Sequence, residues 1–160
     1  MNCEFCTVKG KPRAASVERV VEQIASSLEM HNARSFLIVD DLFGDRRDET
    51  LRLCGMLAYY QKAVDTRLDI TVQIKLDRAK DSELLKAMHK AGINIVCIGI
   101  ESPIDEELKA MNKKFKQKDM IAMTQLYHKA GFLVHGMFIF GYPLLEGVRL
   151  SFPVMERVKL

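Results

Sequence analysis

The chain has 160 residues, 48% of them hydrophobic and 28% charged, which is ordinary globular composition and fits one domain over residues 1–160. A fold of this size buries roughly 70% of its unfolded surface. A net charge of +3, with Lys and Arg spread evenly, argues against nucleic acid as a partner. No apolar run approaches the roughly 20 residues of a membrane helix. Met1 leads into polar sequence rather than a signal peptide, so the expected setting is cytoplasmic.

Helical and strand patterns alternate along the chain. Ser16 stands as a helix N-cap before Val17, Val20, Val21, Ile24 and Leu28, which recur at helical spacing. Phe36 to Val39 is a short apolar run that stops at Asp40 and Asp41, as a buried strand does. Asp48 to Val64 reads as helix with Leu51, Cys54, Leu57 and Ala58 on one stripe, and Ile70 to Ile74 is β-rich. Asp81 caps a helix carrying Leu84, Leu85, Met88 and Ala91, and Gly92 ends it. Ile93 to Ile100 is the next buried strand. Ser102 and Pro103 then predict a helix start, with Ser as cap and Pro in the first turn. Lys118 to Ala130 is helical, Gly131 closes it, and Phe132 to Phe140 is strand.

The segments His89-Lys-Ala-Gly92-Ile and His128-Lys-Ala-Gly131-Phe repeat one helix-to-strand junction. This βα order implies right-handed crossovers and a parallel sheet. It suits a (β/α) barrel or an open doubly wound sheet, and periodicity does not separate them. Polar residues follow each strand: Asp40 and Asp41, then Lys75 and Asp77, then Glu101 and Ser102, then Tyr142. In parallel α/β folds those positions converge on the rim where ligands bind. Adjacent acids at Asp40 and Asp41 call for a cationic partner. Gly99, just before Glu101, lets a ligand or backbone approach closely. His89 and His128 suit helix C-termini and are expected to be structural. Cys54, Cys97 and the Met120, Met123, Leu126 stripe are expected in the core. His135 is expected there too, with the barrel interior as its alternative.

Cys3-Glu-Phe5-Cys6 is the remaining chemistry. A Cys-x-x-Cys pair can be a dithiol, half a zinc site, or two ligands of an iron–sulfur loop. Here the resemblance to a family becomes specific. The pair resembles the second and third cysteines of the radical SAM signature Cys-x-x-x-Cys-x-aromatic-Cys, with Phe5 as the aromatic that lies against the cofactor. Arg13 to Glu18, Ile38 to Phe43, Ile98 to Ser102 and His135 to Pro143 are similar to further segments of that core. The last three are similar to the subgroup that often carries a cobalamin-binding domain, which includes methyltransferases and the anaerobic magnesium-protoporphyrin ester cyclase.

The resemblance implies a partial TIM-type barrel with about four of the six βα units of a radical SAM core, one incomplete domain over 1–160. It implies a 4Fe–4S cluster on Cys3 and Cys6, and S-adenosylmethionine (SAM) chelated to the open iron. One electron then yields a 5′-deoxyadenosyl radical for hydrogen abstraction or methyl transfer. By the same resemblance Asp40 or Asp41 takes the methionine ammonium and Glu101 and Ser102 take the ribose. Ile139 and Gly141 line the adenine pocket. Implied partners are a small-molecule substrate and an external one-electron donor, with cobalamin held by a domain outside this chain. The first signature cysteine belongs two positions upstream of Met1, Val39-Asp-Asp stands where Gly-Gly-Glu is commoner, and Met137 replaces a frequent Gly. With two matched thiolates, the chain alone is expected to be inactive, and its open strand edges to invite self-association. The rival expectations are a redox or zinc module built on Cys3 and Cys6, and a divalent-metal barrel enzyme using Asp40, Asp41 and Glu101.

Overall fold

A computed structural model describes residues 14–140. Helix α1 (Val17–His31) begins at Ser16, whose hydroxyl accepts the Arg19 N–H at 3.3 Å. It ends at Asn32, which is left-handed with φ 51° and returns its N–H to Leu28. Strand β1 (Ser35–Phe43), helix α2 (Arg47–Ala63) and strand β2 (Asp69–Ile74) follow. A 3₁₀ turn over Leu76–Lys80 separates β2 from α3 (Ser82–Lys90), which Asp81 caps by accepting the Leu84 N–H at 3.0 Å. Strand β3 (Ile93–Glu101), helices α4 (Asp105–Ala110) and α5 (Gln117–Lys129) and strand β4 (Leu133–Phe138) complete the described chain.

The four strands are parallel and lie in the order β1-β2-β3-β4. A doubly wound sheet reverses its strand order and carries helices on both faces. Here the order never reverses and, among the described residues, one face alone is covered. Ile70, Val72, Ile74, Val96, Ile98 and Ile100 are buried on that face, in one cluster with Ile24 of α1, Leu57 of α2, Leu84 and Met88 of α3, and Met120 of α5. On the opposite face Leu37, Val39 and Leu133 are 64%, 89% and 67% exposed. Sequential winding with one bare face is the geometry of a barrel segment. The sheet is part of a TIM-type barrel, and the bare face is the one that a closed barrel turns inward.

The repeated junctions behave as their sequence predicts. Gly92 and Gly131 have φ of 82° and 92°, the left-handed state needed where a helix turns back into a strand. At Gly92 the space is closed as well, since a Cβ there would lie 2.6 Å from the Leu68 carbonyl oxygen. His89 packs edge-on against Phe132 with ring centroids 6.1 Å apart, which ties the two repeats together.

Several expectations are corrected. The helix expected at Ser102-Pro103 begins at Asp105, because the Ser102 hydroxyl accepts the Ile104 N–H and forms a local turn. Strand β1 runs on through Asp40 and Asp41 to Phe43, with a register irregularity between Ile38 and Phe43. His135 and Cys97 belong to the bare face rather than to the helix-packed core. They are register partners, and Cys97 is also paired with Gln73, so Gln73, Cys97 and His135 form one lateral row. Leu126 is 41% exposed, whereas Met120 and Met123 are buried as expected. No described helix is long and apolar enough to cross a membrane.

Candidate functional site on the strand C-terminal rim

Parallel pairing brings the ends of the four strands to one edge of the sheet, and Asp40, Asp41, Glu101 and Ile139 lie along it. Asp40 and Asp41 occupy the irregular end of β1, where Val39, Asp40 and Asp41 are all exposed and break the strand alternation. The Asp40 carboxylate accepts the Leu42 N–H at 2.9 Å, which stabilises the bulge locally. Neither acid forms an ion pair among the described residues. Two adjacent exposed carboxylates make a rim segment suited to a cationic group.

The end of β2 is committed differently. Lys75 and Arg78 both pair with Asp45, at 2.5 and 3.0 Å, and the Tyr127 hydroxyl donates to the Lys75 carbonyl at 2.9 Å. The Lys75 ammonium, and then Arg78, hold the Asp45 carboxyl below its ordinary range. This cluster joins the β1 loop, the 3₁₀ turn and α5. Burial pushes the Tyr127 hydroxyl upward, so it stays a neutral donor.

The end of β3 is the most constrained place on the rim. Glu101 has φ 67°, a left-handed conformation that costs a residue with a side chain on the order of 1–3 kcal/mol. Three contacts hold it there. Its carbonyl accepts the Ile139 N–H at 2.8 Å, extending the β3–β4 pairing by one step. Ser102 N–H bonds back to Ile100 at 2.9 Å. The Glu101 carboxylate takes the Lys113 ammonium at 2.8 Å, with the two side chains only 13% and 10% exposed. Lys113 also donates to the Gly99 carbonyl at 3.3 Å. The close approach expected at Gly99 is thus made by Glu101 itself, since a Cβ at Gly99 would lie 2.5 Å from Glu101 Oε1.

Ser102 is placed away from the open rim. It is 1% exposed, its hydroxyl donates to the equally buried Glu107 of α4, and it accepts from Ile104. Its hydroxyl is thus engaged with α4 and the local turn rather than exposed at the rim. Glu101 and Ile139 are brought together through the backbone, whereas Asp40 and Asp41 stand across β2 from Glu101, two strand spacings or roughly 10 Å away. Cys3, Phe5, Cys6, Gly141 and Tyr142 lie outside the described residues. Lys113 and Glu107 were missed by sequence reasoning. The one signal available was Asn112, a residue tolerant of left-handed φ (58° here), which marks the end of α4 just before Lys113.

Comparison with known proteins agrees with this geometry. Residues 1–148 match the family described as the Radical SAM superfamily. The chain belongs to the radical SAM superfamily. Among curated relatives it is 30% identical over 151 residues to the hopanoid C-2 methylase of Rhodopseudomonas palustris (strain TIE-1), covering 92% of this chain and 24% of that protein. It is also 30% identical over 145 residues to the uncharacterized methyltransferase sll1242 of Synechocystis sp., covering 82% of this chain and 27% of that one. Among solved structures, the cobalamin-dependent radical SAM enzyme OxsB with aqua-cobalamin bound superposes with a TM-score of 0.75 at 21% identity, over 91% of this chain and 23% of that one. The radical SAM methyltransferase TsrM of Kitasatospora setae, with cobalamin and a 4Fe–4S cluster, gives a TM-score of 0.64 at 19% identity, over 78% and 25%. The chain therefore spans about a quarter of the length of the curated relatives it matches. The family implies a 4Fe–4S cluster and SAM, and the described rim fits the second: exposed acids for an ammonium, and a glutamate with one oxygen fixed by lysine and the other open to hydroxyls.

Proposed function

We propose that this chain is the SAM-binding part of a radical SAM enzyme core, and that the whole protein is a methyltransferase or hydrogen-abstracting enzyme of the cobalamin-associated subgroup. The observation that carries the proposal is the family match over residues 1–148, which takes in both the Cys3–Cys6 loop and the strand rim. Methyl transfer is favoured because both relatives described above at 30% identity are named a methylase or a methyltransferase.

In this reading Cys3 and Cys6 would supply soft thiolate ligands to a 4Fe–4S cluster, and Phe5 would be the aromatic against the cofactor. When bound, the cluster and SAM supply one-electron cleavage of a sulfonium, fed by an external electron donor. The chain's own residues bind and orient. Asp40 or Asp41 accepts the methionine ammonium, Glu101 accepts ribose hydroxyls, and Ile139 with Gly141 offers an apolar wall to adenine. The bare sheet face, with its central row of Gln73, Cys97 and His135, faces a small-molecule substrate. A cobalamin would be held by a part of the protein beyond this chain.

The test is anaerobic reconstitution of the full-length protein with iron and sulfide. The expected result is a reduced-cluster electron paramagnetic resonance signal that changes when SAM is added and is lost in Cys3→Ala and Cys6→Ala. Bound zinc, or a reversible Cys3–Cys6 disulfide with no cluster, would overturn the proposal in favour of a zinc or dithiol module.

A further inference from the structure

Glu101 is held by more than its own strand, and the way it is held points to the group doing the holding. Its backbone is left-handed, with φ 67°. Its carboxylate folds back over Gly99, close enough that a Cβ there would come within 2.5 Å of Oε1. That fold brings Oε1 to the Lys113 ammonium at 2.8 Å, while the same ammonium bonds the Gly99 carbonyl at 3.3 Å. Lys113 therefore bridges the strand backbone and the side chain, and fixes the carboxylate relative to the strand. A backbone outlier persists only where its surroundings over-determine it, and such outliers cluster at ligand-binding sites.

The pair is also asymmetric. Oε1 is the oxygen that Lys113 holds, and Oε2 has no partner among the described residues. A carboxylate with one oxygen clamped and the other open presents the lone pairs of that open oxygen at a fixed place. An ion pair this buried contributes little net stability against the cost of stripping water from both charges, so its value lies in fixing geometry.

From this juxtaposition we infer that Lys113 is a positioning residue: it orients Glu101 so that Oε2 accepts hydrogen bonds from the hydroxyls of a nucleoside ribose. The inference rests on the proposal that Glu101 meets SAM, and it adds the residue that makes this contact selective for a hydroxylated sugar. Lys113 itself touches no ligand in this arrangement. It comes from the segment between α4 and α5, so the ribose contact of β3 depends on how that connection is built.

The probe is 5′-methylthioadenosine, which keeps the adenosine of SAM but has no methionine group to reach a cluster. Its binding to the full-length protein, purified without a cluster, is compared by equilibrium dialysis with that of its 2′,3′-dideoxy analogue. Hydrogen bonds to a charged acceptor predict a preference of about 10-fold or more for the hydroxylated probe. Lys113→Met is expected to bind both probes equally, at the level of the dideoxy analogue. Lys113→Arg, which restores a cation to the carboxylate, is expected to recover most of the preference. A Lys113→Met protein that keeps the wild-type preference overturns the positioning role. A wild-type protein with no preference overturns the ribose contact itself, and the positioning role falls with it. Should Lys113→Met fail to fold, Glu101→Gln and Lys113→Arg decide. The inference requires the first to lose the preference and the second to keep it, and the reverse pattern refutes it.

Discussion

The two repeated junctions allow a comparison in which the backbone requirement is held constant and the packing is varied. Gly92 and Gly131 both adopt positive φ, 82° and 92°, so an alanine at either position incurs the left-handed cost of about 1–2 kcal/mol. Restricting the unfolded chain returns about 0.4–1 kcal/mol of that at both sites. At Gly131 the new methyl would meet only His89, at 3.1 Å from Nε2, and a side chain can move by a few tenths of an ångström. Gly131→Ala should therefore destabilise by about 1 kcal/mol. At Gly92 the methyl would lie 2.6 Å from Leu68 O and 2.8 Å from Gln61 Oε1. Neither can yield easily, because Gln61 Oε1 accepts the Leu68 N–H at 2.8 Å while its amide donates to Leu57 and Lys90 carbonyls. Overpacking of this kind adds about 1–3 kcal/mol, so Gly92→Ala should reach about 2–4 kcal/mol. Hydrogen exchange of peptides covering β2 and β3, followed in the full-length protein, reads the difference. Gly92→Ala should raise the opening constant of that unit about tenfold or more above Gly131→Ala. Equal effects would show that only the dihedral matters, and the packing argument would be wrong.

Gly99→Ala must push the Glu101 carboxylate off Oε1's present position, because 2.5 Å is far inside contact distance. The obstacle is a side-chain tip, so the variant should fold normally yet bind SAM about tenfold more weakly in equilibrium dialysis. Acid sensitivity should trace to Asp45 and Asp81, whose carboxyls are lowered chiefly by Lys75 and by Arg47. A lowered folded pKa means stability that is present above the ordinary value of 3.8 and is lost as pH falls below it. Arg47→Leu should therefore flatten the fall in urea midpoint between about pH 5 and pH 3, while the Leu84 cap on Asp81 preserves part of it. Cys54 is 1% exposed and burial pushes its thiol up to about 12, so it should resist alkylation at about pH 8 until the protein is denatured, as mass spectrometry would show.

Most of the fold was legible because it is written locally. Ser16 and Asp81 announce helix starts through side-chain oxygens that reach an N–H three residues on, and Gly92 and Gly131 announce helix ends through a backbone state open to glycine. The apolar run Ile93 to Ile100 gave the extent of β3 to within one residue but not its faces, since Cys97 lies on the bare one. The failures lie in contacts that periodicity does not carry. Ser102 looked like a cap because it precedes proline, but its hydroxyl accepts the Ile104 N–H in a local turn and the helix starts at Asp105. The 3₁₀ turn Leu76–Lys80 carries no periodic signal, and it is held in part by Asp45 from another loop. At the rim, the acids were legible as strand endings, but the Lys113 clamp on Glu101 spans 12 residues and an intervening helix.

The two faces of the sheet explain why the site forms where it does. The helix-packed face is apolar from Ile70 through Ile100, with nothing to offer a polar ligand. The bare face grades along the strands. Its first row, Leu37, Thr71, Ile95 and Leu133, is apolar but for Thr71; the next is polar at Gln73, Cys97 and His135, and Gly99 leaves room before the charge of Glu101. That gradient runs toward the C-terminal rim, so a ligand entering from the rim meets charge first and hydrogen-bonding groups next. Charge at Glu101 is useful only if it is fixed, because a mobile carboxylate would turn to whatever donor lay nearest. The Lys113 bridge and the left-handed backbone together remove that freedom, and the glycine at position 99 provides the room in which they can do so.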